Sequence, residues 1–387
     1  FETDGASSIV NVTGGIFRGG YNCYGDAEGD AQINISGGIF SVNPSEYLAE
    51  NYGAFPYDET SWVVRMVYGT QEFTLTAGWN WMSSYISEFD KVDEEGKSVG
   101  LSMLVNALGD NGIQIKNNLG AYTYGGSHYG WSGNLTATSV KEMYKVNVTA
   151  DVTFEFEGGF VNYDELEIPL YPGWNYISYP VDVTTNIADA LIISGGANFM
   201  DVIKSQNGTS TYAGEDTGWL SSDFFTLIPG EGYMYQNTSG VIKTLKYSTK
   251  VTTTTSNNRN RNHWTVDATQ YPSNMTIIAT VDVEGGDYEV AAFVNGEVRG
   301  SARPIYVEEL DAHILILTIS GNDVEEMTFM YYDIATGEEV ELSNRINYSN
   351  DAIVGSIAEP YILTRGTTGI GEASMSEISI YPNPTTT

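Results

Sequence analysis

Apolar and polar residues alternate with a period of two along most of this chain, the pattern of strands that turn one face to a core. Ile9-Val10-Asn11-Val12-Thr13-Gly14-Gly15-Ile16-Phe17 alternates in this way, and Gln32-Ile33-Asn34-Ile35-Ser36-Gly37-Gly38-Ile39-Phe40 repeats it 23 residues later. That spacing fits one rung of a parallel β-solenoid: Val10, Val12, Ile33 and Ile35 face inward, Gly-Gly turns the corner, and Ile-Phe restarts the inward face. Residues 40–48 and Trp62-Val63-Val64 are then expected to cap the last rung. A longer duplication follows. Phe73 to Tyr85 (FTLTAGWNWMSSY) pairs with Ile168 to Tyr179 (IPLYPGWNYISY), Ile115-Lys116 with Ile203-Lys204, Tyr122 with Tyr212, Gly130-Trp131 with Gly218-Trp219, and Met143-Tyr144 with Met234-Tyr235. The order is kept, so a module of roughly 90 residues is used twice. In the first copy Val99, Leu101, Met103, Leu104, Val105 and Leu108 have helical spacing that stops at Gly109; the matching stretch, Ile187 to Leu191, is shorter. Each copy is predicted to be a small α+β fold.

Thr252 to Asn262 is a polar, low-complexity joint. From Trp264 to Leu363 short strands recur at regular spacing, with His313 to Ile319 reading as a central strand and Met327 to Tyr332 as a second, the pattern of a β-sandwich. The predicted fold is mainly β, an elongated multi-domain array. Residues 1–66 form the last rungs and cap of a solenoid, 67–156 and 157–250 the two modules, and 251–263 a linker. Residues 264–364 form the sandwich, and 365–387 a second linker with one further strand.

Composition narrows the function. Of 387 residues, 17 are Lys or Arg and 50 are Asp or Glu, a formal charge of −33 that repels phosphate backbones and anionic lipid. Nucleic acid is therefore not an expected partner. A hydrophobic fraction of 41% against 17% charged still allows buried cores, and 42 glycines with 27 tyrosines suit a β protein. The acidic lean suits an extracellular setting. Cys23 is the sole cysteine, which excludes an intrachain disulfide and a cysteine zinc site and reads as a small buried residue. His128, His263 and His313 lie far apart, so no histidine-rich metal centre is expected. No apolar run is long enough for a transmembrane helix. The opening FETDGASS has neither a basic start nor an apolar stretch, and the expectation is a piece of a longer protein.

Ile378-Ser379-Ile380-Tyr381-Pro382-Asn383-Pro384 is an alternating strand followed by two prolines that flank Asn383, an extended segment and then a turn. After a linker, it closely resembles the opening of the C-terminal sorting domain of proteins exported by the Bacteroidetes type IX secretion system. The resemblance implies that Tyr381, Pro382, Asn383 and Pro384 belong to a sorting signal read by the outer-membrane machinery; the remainder of such a domain is missing. Trp264-Thr265-Val266, Met275-Thr276-Ile277, the Ala291 to Gly300 phrase and Ile353 to Ser356 resemble a domain often found just before that signal, whose usual role is a spacer or stalk. The Gly-Gly-Ile-Phe repeats, followed by Asn43-Pro44-Ser45-Glu46-Tyr47, resemble those of bacterial surface adhesins and autotransporter-like β-helices.

Candidate chemistry is sparse. Trp131 and Trp219, with Tyr122 and Tyr212, lie at matching positions in glycine-rich surroundings, where aromatic faces can stack on sugar C–H groups; the competing reading is that duplicated tryptophans are core residues of a duplicated fold. Trp79 and Trp174, inside strands, read as core. Asp26, Glu28 and Asp30 alternate and Asp93-Glu94-Glu95 form a run, but both match a calcium loop poorly and read as solvated surface, so no cofactor is expected. No GxSxG, Walker, HExxH or Cys/His pattern occurs, so no enzyme activity is expected of this chain. The resulting expectation is a non-catalytic C-terminal stalk or adhesive segment of a large secreted protein, attached at the outer cell surface. Its partners would be the type IX machinery and host or environmental glycans or proteins. The alternative is a pair of carbohydrate-binding accessory modules serving a larger secreted polysaccharide hydrolase.

Overall fold

The computed structural model describes residues 9–19, 32–248, 262–322 and 324–365, and the chain is mainly β with several sheets. Cys23, the acidic trio Asp26, Glu28 and Asp30, most of the Thr/Asn-rich joint, and Tyr381 to Pro384 lie outside the described residues. At the start, Ile9–Phe17 pairs in parallel with Gln32–Phe40, and Val10↔Ile33, Val12↔Ile35 and Phe17↔Phe40 are partners, each 23 residues apart. Like side chains therefore stack. The Phe17 and Phe40 rings lie 4.8 Å apart and nearly parallel, and the Asn34 amide donates to the Asn11 side chain at 3.2 Å. The antiparallel strands Tyr52–Asp58 and Ser61–Met66 close the other edge of this four-stranded sheet.

The two repeats build sheets of identical connection order. In the first, Gly78–Met82, Tyr144–Val148, Gly112–Lys116, Ala121–Tyr124 and Trp131–Gly133 lie side by side; in the second, Gly173–Ser178, Gly232–Asn237, Val202–Lys204, Thr209–Tyr212 and Trp219–Leu220. A second pairing completes each core: Tyr68–Leu75 with Val152–Gly159 in the first, and Ile168–Leu170 with Lys243–Tyr247 in the second. The helix Val99–Leu108 buries Leu101, Leu104 and Leu108 against the first core. Its N-terminus is capped by Ser98, whose side chain accepts from the Leu101 N–H, and it ends at Gly109 in a positive-φ conformation. Its counterpart, Ile187–Ala190, is a single turn.

The Gly-Trp-Asn phrase is repeated for a local reason. Gly78 (φ 103°) and Gly173 (φ 92°) open their strands in a conformation that favours glycine. Two residues on, an asparagine ties the turn together. The Asn175 side chain accepts from the Tyr171 N–H at 2.8 Å and donates to the carbonyls of Tyr171 (2.7 Å) and Gly173 (3.0 Å). Asn80 makes the same three bonds, to Thr76 N–H, Thr76 O and Gly78 O. Asn175 is buried and also reaches the Tyr235 carbonyl at 3.3 Å. Asn175→Ala is expected to cost about 2 kcal/mol in chemical denaturation, and Asn80→Ala, at the more exposed copy, about half as much. Equal costs would show that burial does not set the difference.

Strand register corrects two of the sequence pairings. With Gly78 matched to Gly173, the residue opposite Met82 is Tyr144 and the one opposite Ile177 is Tyr233, so Tyr144 corresponds to Tyr233 and not to Tyr235. Both hydroxyls accept a backbone N–H five residues upstream, from Ser139 at 2.6 Å and Ile228 at 2.7 Å. Likewise Lys116↔Ala121 and Lys204↔Thr209 make Tyr124, and not Tyr122, the counterpart of Tyr212. Both slips are of two residues, which leave the faces of a strand unexchanged, so the alternating pattern and the Met-Tyr likeness concealed them.

Ser273–Val281 and Ala312–Gly321 pair at the centre of one C-terminal sheet, and Tyr288–Val294 and Glu326–Asp333 at the centre of another; both sheets feed a single apolar cluster that includes Met275, Ile277, Leu315, Leu317, Val290 and Phe329. The run from Ile314 to Leu317 is apolar without alternation because its sheet is covered on both sides. Leu315 and Leu317 enter that cluster, whereas Ile314 and Ile316 meet Met200, Ala213 and Leu220 of the second repeat. Thr209 Oγ1 lies 3.0 Å from Thr276 Oγ1 and 2.8 Å from Thr318 Oγ1 across the same joint. Inside this region the fully buried Glu289 accepts from the N–H groups of His263 (2.7 Å) and Trp264 (3.0 Å).

Candidate functional site

The proposed aromatic platform begins at the sheet edges. Trp131 stands opposite Tyr124 and Trp219 opposite Tyr212. Trp131 stacks on Tyr122 with ring centroids 5.8 Å apart and 18° between planes, and Trp219 meets Tyr212 at 5.3 Å and Tyr235 edge-on at 6.2 Å. Both indoles are half-buried and pack against the core of their own repeat. The fit of Trp131 is close: a Cβ on Gly112 would lie 2.4 Å from its ring. Each ring therefore covers its own core and leaves part of its surface to solvent. Tyr129, 78% exposed, stands near the first.

Trp79 and Trp174 are half-buried as well, and each carries a lysine. Lys116 Nζ lies 4.3 Å from the Trp79 ring centre, and Lys204 Nζ 4.7 Å from that of Trp174. The pairs match by register, because Lys116 and Lys204 end equivalent strands. Between them, Lys145 Nζ sits 4.2 Å from the Trp81 centre and 5.3 Å from that of Tyr176, beside the buried Met143 and Met234. The repeats also exchange matching backbone bonds: Ser83 N–H donates to Gly230 O at 2.9 Å and Ser178 N–H to Lys141 O at 3.2 Å. Gln206 extends the joint to the C-terminal region. Its amide donates to the carbonyls of Trp79 (2.7 Å) and Ala268 (3.2 Å), and the Asn274 amide donates to those of Ser205 and Gln206.

This layer is an unusual place for ammonium groups. Lys204 is fully buried, and its Nζ has no hydrogen-bond partner among the described residues. Burial pushes it down to about 7, opposed by the charge of Asp351. Lys145, 2% exposed, is pushed down to about 8 in the same way, and half-buried Lys116 is lowered. Burial, with Asp351 adding to it, pushes the Tyr176 phenol far up. Near and just above neutral pH Lys204 and Lys145 can shed their protons, so their part of the layer shifts between cation–π contact and nearly apolar packing. The residue pattern carried one signal for these lysines, the Lys that ends both Ile-Lys pairs.

The Asp93-Glu94-Glu95 run is a turn. Asp93 Oδ1 accepts from the N–H groups of Glu95 (2.9 Å) and Lys97 (2.8 Å), and Glu95 pairs with Lys97. Among the described residues no group of three or more His, Cys, Asp or Glu side chains is placed to hold a metal ion, and no helix is long and apolar enough to cross a membrane. Comparison with protein-family models, with curated proteins and with solved structures finds no match to this chain.

Proposed function

We propose that this chain is a non-catalytic stalk or adhesive segment from the C-terminal part of a larger secreted surface protein, exported by a type IX system through the Tyr381-Pro382-Asn383-Pro384 signal. In this reading residues 9–66 are the end of a solenoid, the two repeats are folded modules, and 264–364 is a β-sandwich. One observation carries it: successive units are held by buried joints and not only by the chain. Gln206 and Asn274 lock the repeats to the C-terminal sheets, and Arg65 holds Asp164 through two bonds, of 2.9 and 2.6 Å. Joints of this kind suit an object that transmits load between a cell surface and whatever it touches. The half-exposed indoles favour a second reading, glycan-binding modules beside a hydrolase.

Solution scattering and a glycan array separate the two readings. A rigid extended particle that binds no glycan is the expected result. Glycan binding lost in Trp131→Ala and Trp219→Ala would transfer the case to the carbohydrate reading. Release of sugar or peptide by this chain would overturn both.

A further inference from the structure

Where the N-terminal sheet meets both repeats, a cavity of about 120 Å³ is lined by Phe55, Tyr85, Phe160, Tyr163, Asn162 and Asp182, with Arg65 at its wall. That is somewhat smaller than a dry cavity of about 150 Å³ able to admit benzene, so it suits a group of a few heavy atoms. Its polar groups are the Asp182 carboxylate, which only accepts, and the Asn162 amide and the Tyr85 and Tyr163 hydroxyls, which can accept or donate. The Asn162 side-chain oxygen is buried without a hydrogen-bond partner, and no cation pairs with the Asp182 carboxylate among the described residues. Burial holds the Asp182 carboxyl above its usual range, with Arg65 opposing, as for a carboxylate lacking a close counter-ion. The one cation at the wall is already engaged: Arg65 binds Asp164 through both terminal nitrogens and lies between the Phe55 and Tyr163 rings, 4.1 and 4.0 Å from their centres. An anionic ligand would meet the Asp182 carboxylate and find only phenol hydroxyls, such as that of Tyr163, left to donate to it. A ligand that brings its own N–H groups and positive charge would satisfy the acceptors and gain the ring faces.

We propose that this cavity binds the end of a primary alkylammonium, its carbons against the Tyr85 and Phe160 rings and its N–H groups toward Asp182 and Asn162. The charge of −33 draws such cations to the surface. The chemistry is shared by a free short-chain amine and by the lysine side chain of another protein.

The test titrates the full chain with n-butylammonium, 1-butanol and Nα-acetyl-lysine amide, followed by NMR shifts of residues around Tyr85 and Phe160. Saturable n-butylammonium binding is expected, at least tenfold tighter than 1-butanol, weakened tenfold or more by Asp182→Asn, and lost on acidification as Asp182 takes up a proton. Binding of the lysine derivative alongside n-butylammonium assigns the site to a protein side chain; n-butylammonium alone assigns it to a free amine. No saturation, or equal binding of the neutral alcohol, overturns the proposal without reliance on any variant. Unchanged affinity in a folded Asp182→Asn protein does the same.

Discussion

Lys204→Met is expected to raise stability at pH 7 by about 2–4 kcal/mol, because it removes a buried, unpaired amine while keeping a flexible chain of similar volume on the Trp174 ring. The pH dependence follows from the direction of the shift. In the unfolded chain the amine titrates at about 10.4, and in the folded chain burial brings it to about 7. Between those values the unfolded state holds more protons, so stability rises with pH. Below about 7 the amine is charged in both states and the full penalty persists. Lys145, at about 8, adds a second contribution over a narrower window. Above about 10 the trend reverses: buried phenols such as Tyr144 and Tyr179, whose values burial raises, stay protonated when folded and ionise when unfolded. Thermal midpoints should therefore climb from pH 7 to a maximum near pH 9 to 10, with a shallower climb in Lys204→Met. A melting point lowered by the substitution, or an unchanged slope, would refute the assignment of Lys204 as a destabilising cation.

The largest loss is expected from Asp201→Ala, about 3–5 kcal/mol in denaturant unfolding. Asp201 is fully buried, and among the described residues its carboxylate pairs with no cation and is held by hydrogen-bond donors. Oδ2 accepts from the Tyr235 hydroxyl at 2.7 Å and the Asn198 N–H at 2.9 Å, and Oδ1 from the N–H (2.8 Å) and hydroxyl (2.7 Å) of Thr238. Alanine leaves three of these donors without an acceptor inside the second repeat, the Thr238 hydroxyl keeping the Phe199 carbonyl at 3.3 Å. Asp201→Asn keeps the shape but turns an amide N–H₂ toward donors, so an intermediate cost is expected. A cost below about 1 kcal/mol for alanine would mean that water replaces the carboxylate.

Both predictions concern residues that pattern reading did not select, for related reasons. Lys204 sits in a strand as one polar residue after Ile203, as an exposed lysine would. Its burial comes from Trp174, and its feeble counter-charge from Asp351, far along the chain. Asp201 reads as an ordinary loop acid; Tyr235 and Thr238 reach it only after the second sheet has formed. The cavity beside Asp182 is likewise assembled from four separate stretches of chain.

What the sequence determined by itself is whatever depends on neighbours a few residues apart: alternating strands, the helix that ends at Gly109, the glycine and asparagine of each Gly-Trp-Asn turn, and the 23-residue spacing that sets Phe17 on Phe40. These follow from backbone geometry and side-chain period, which the local pattern encodes. The tertiary structure alone decided which face of each strand meets another sheet, that Tyr144 corresponds to Tyr233, and that three lysines lie against aromatic rings in one joint. The reason is physical. The environment of a charge is set by what packs over it, and here the packing surfaces come from segments many residues away, whose register a pattern of period two leaves open by two residues.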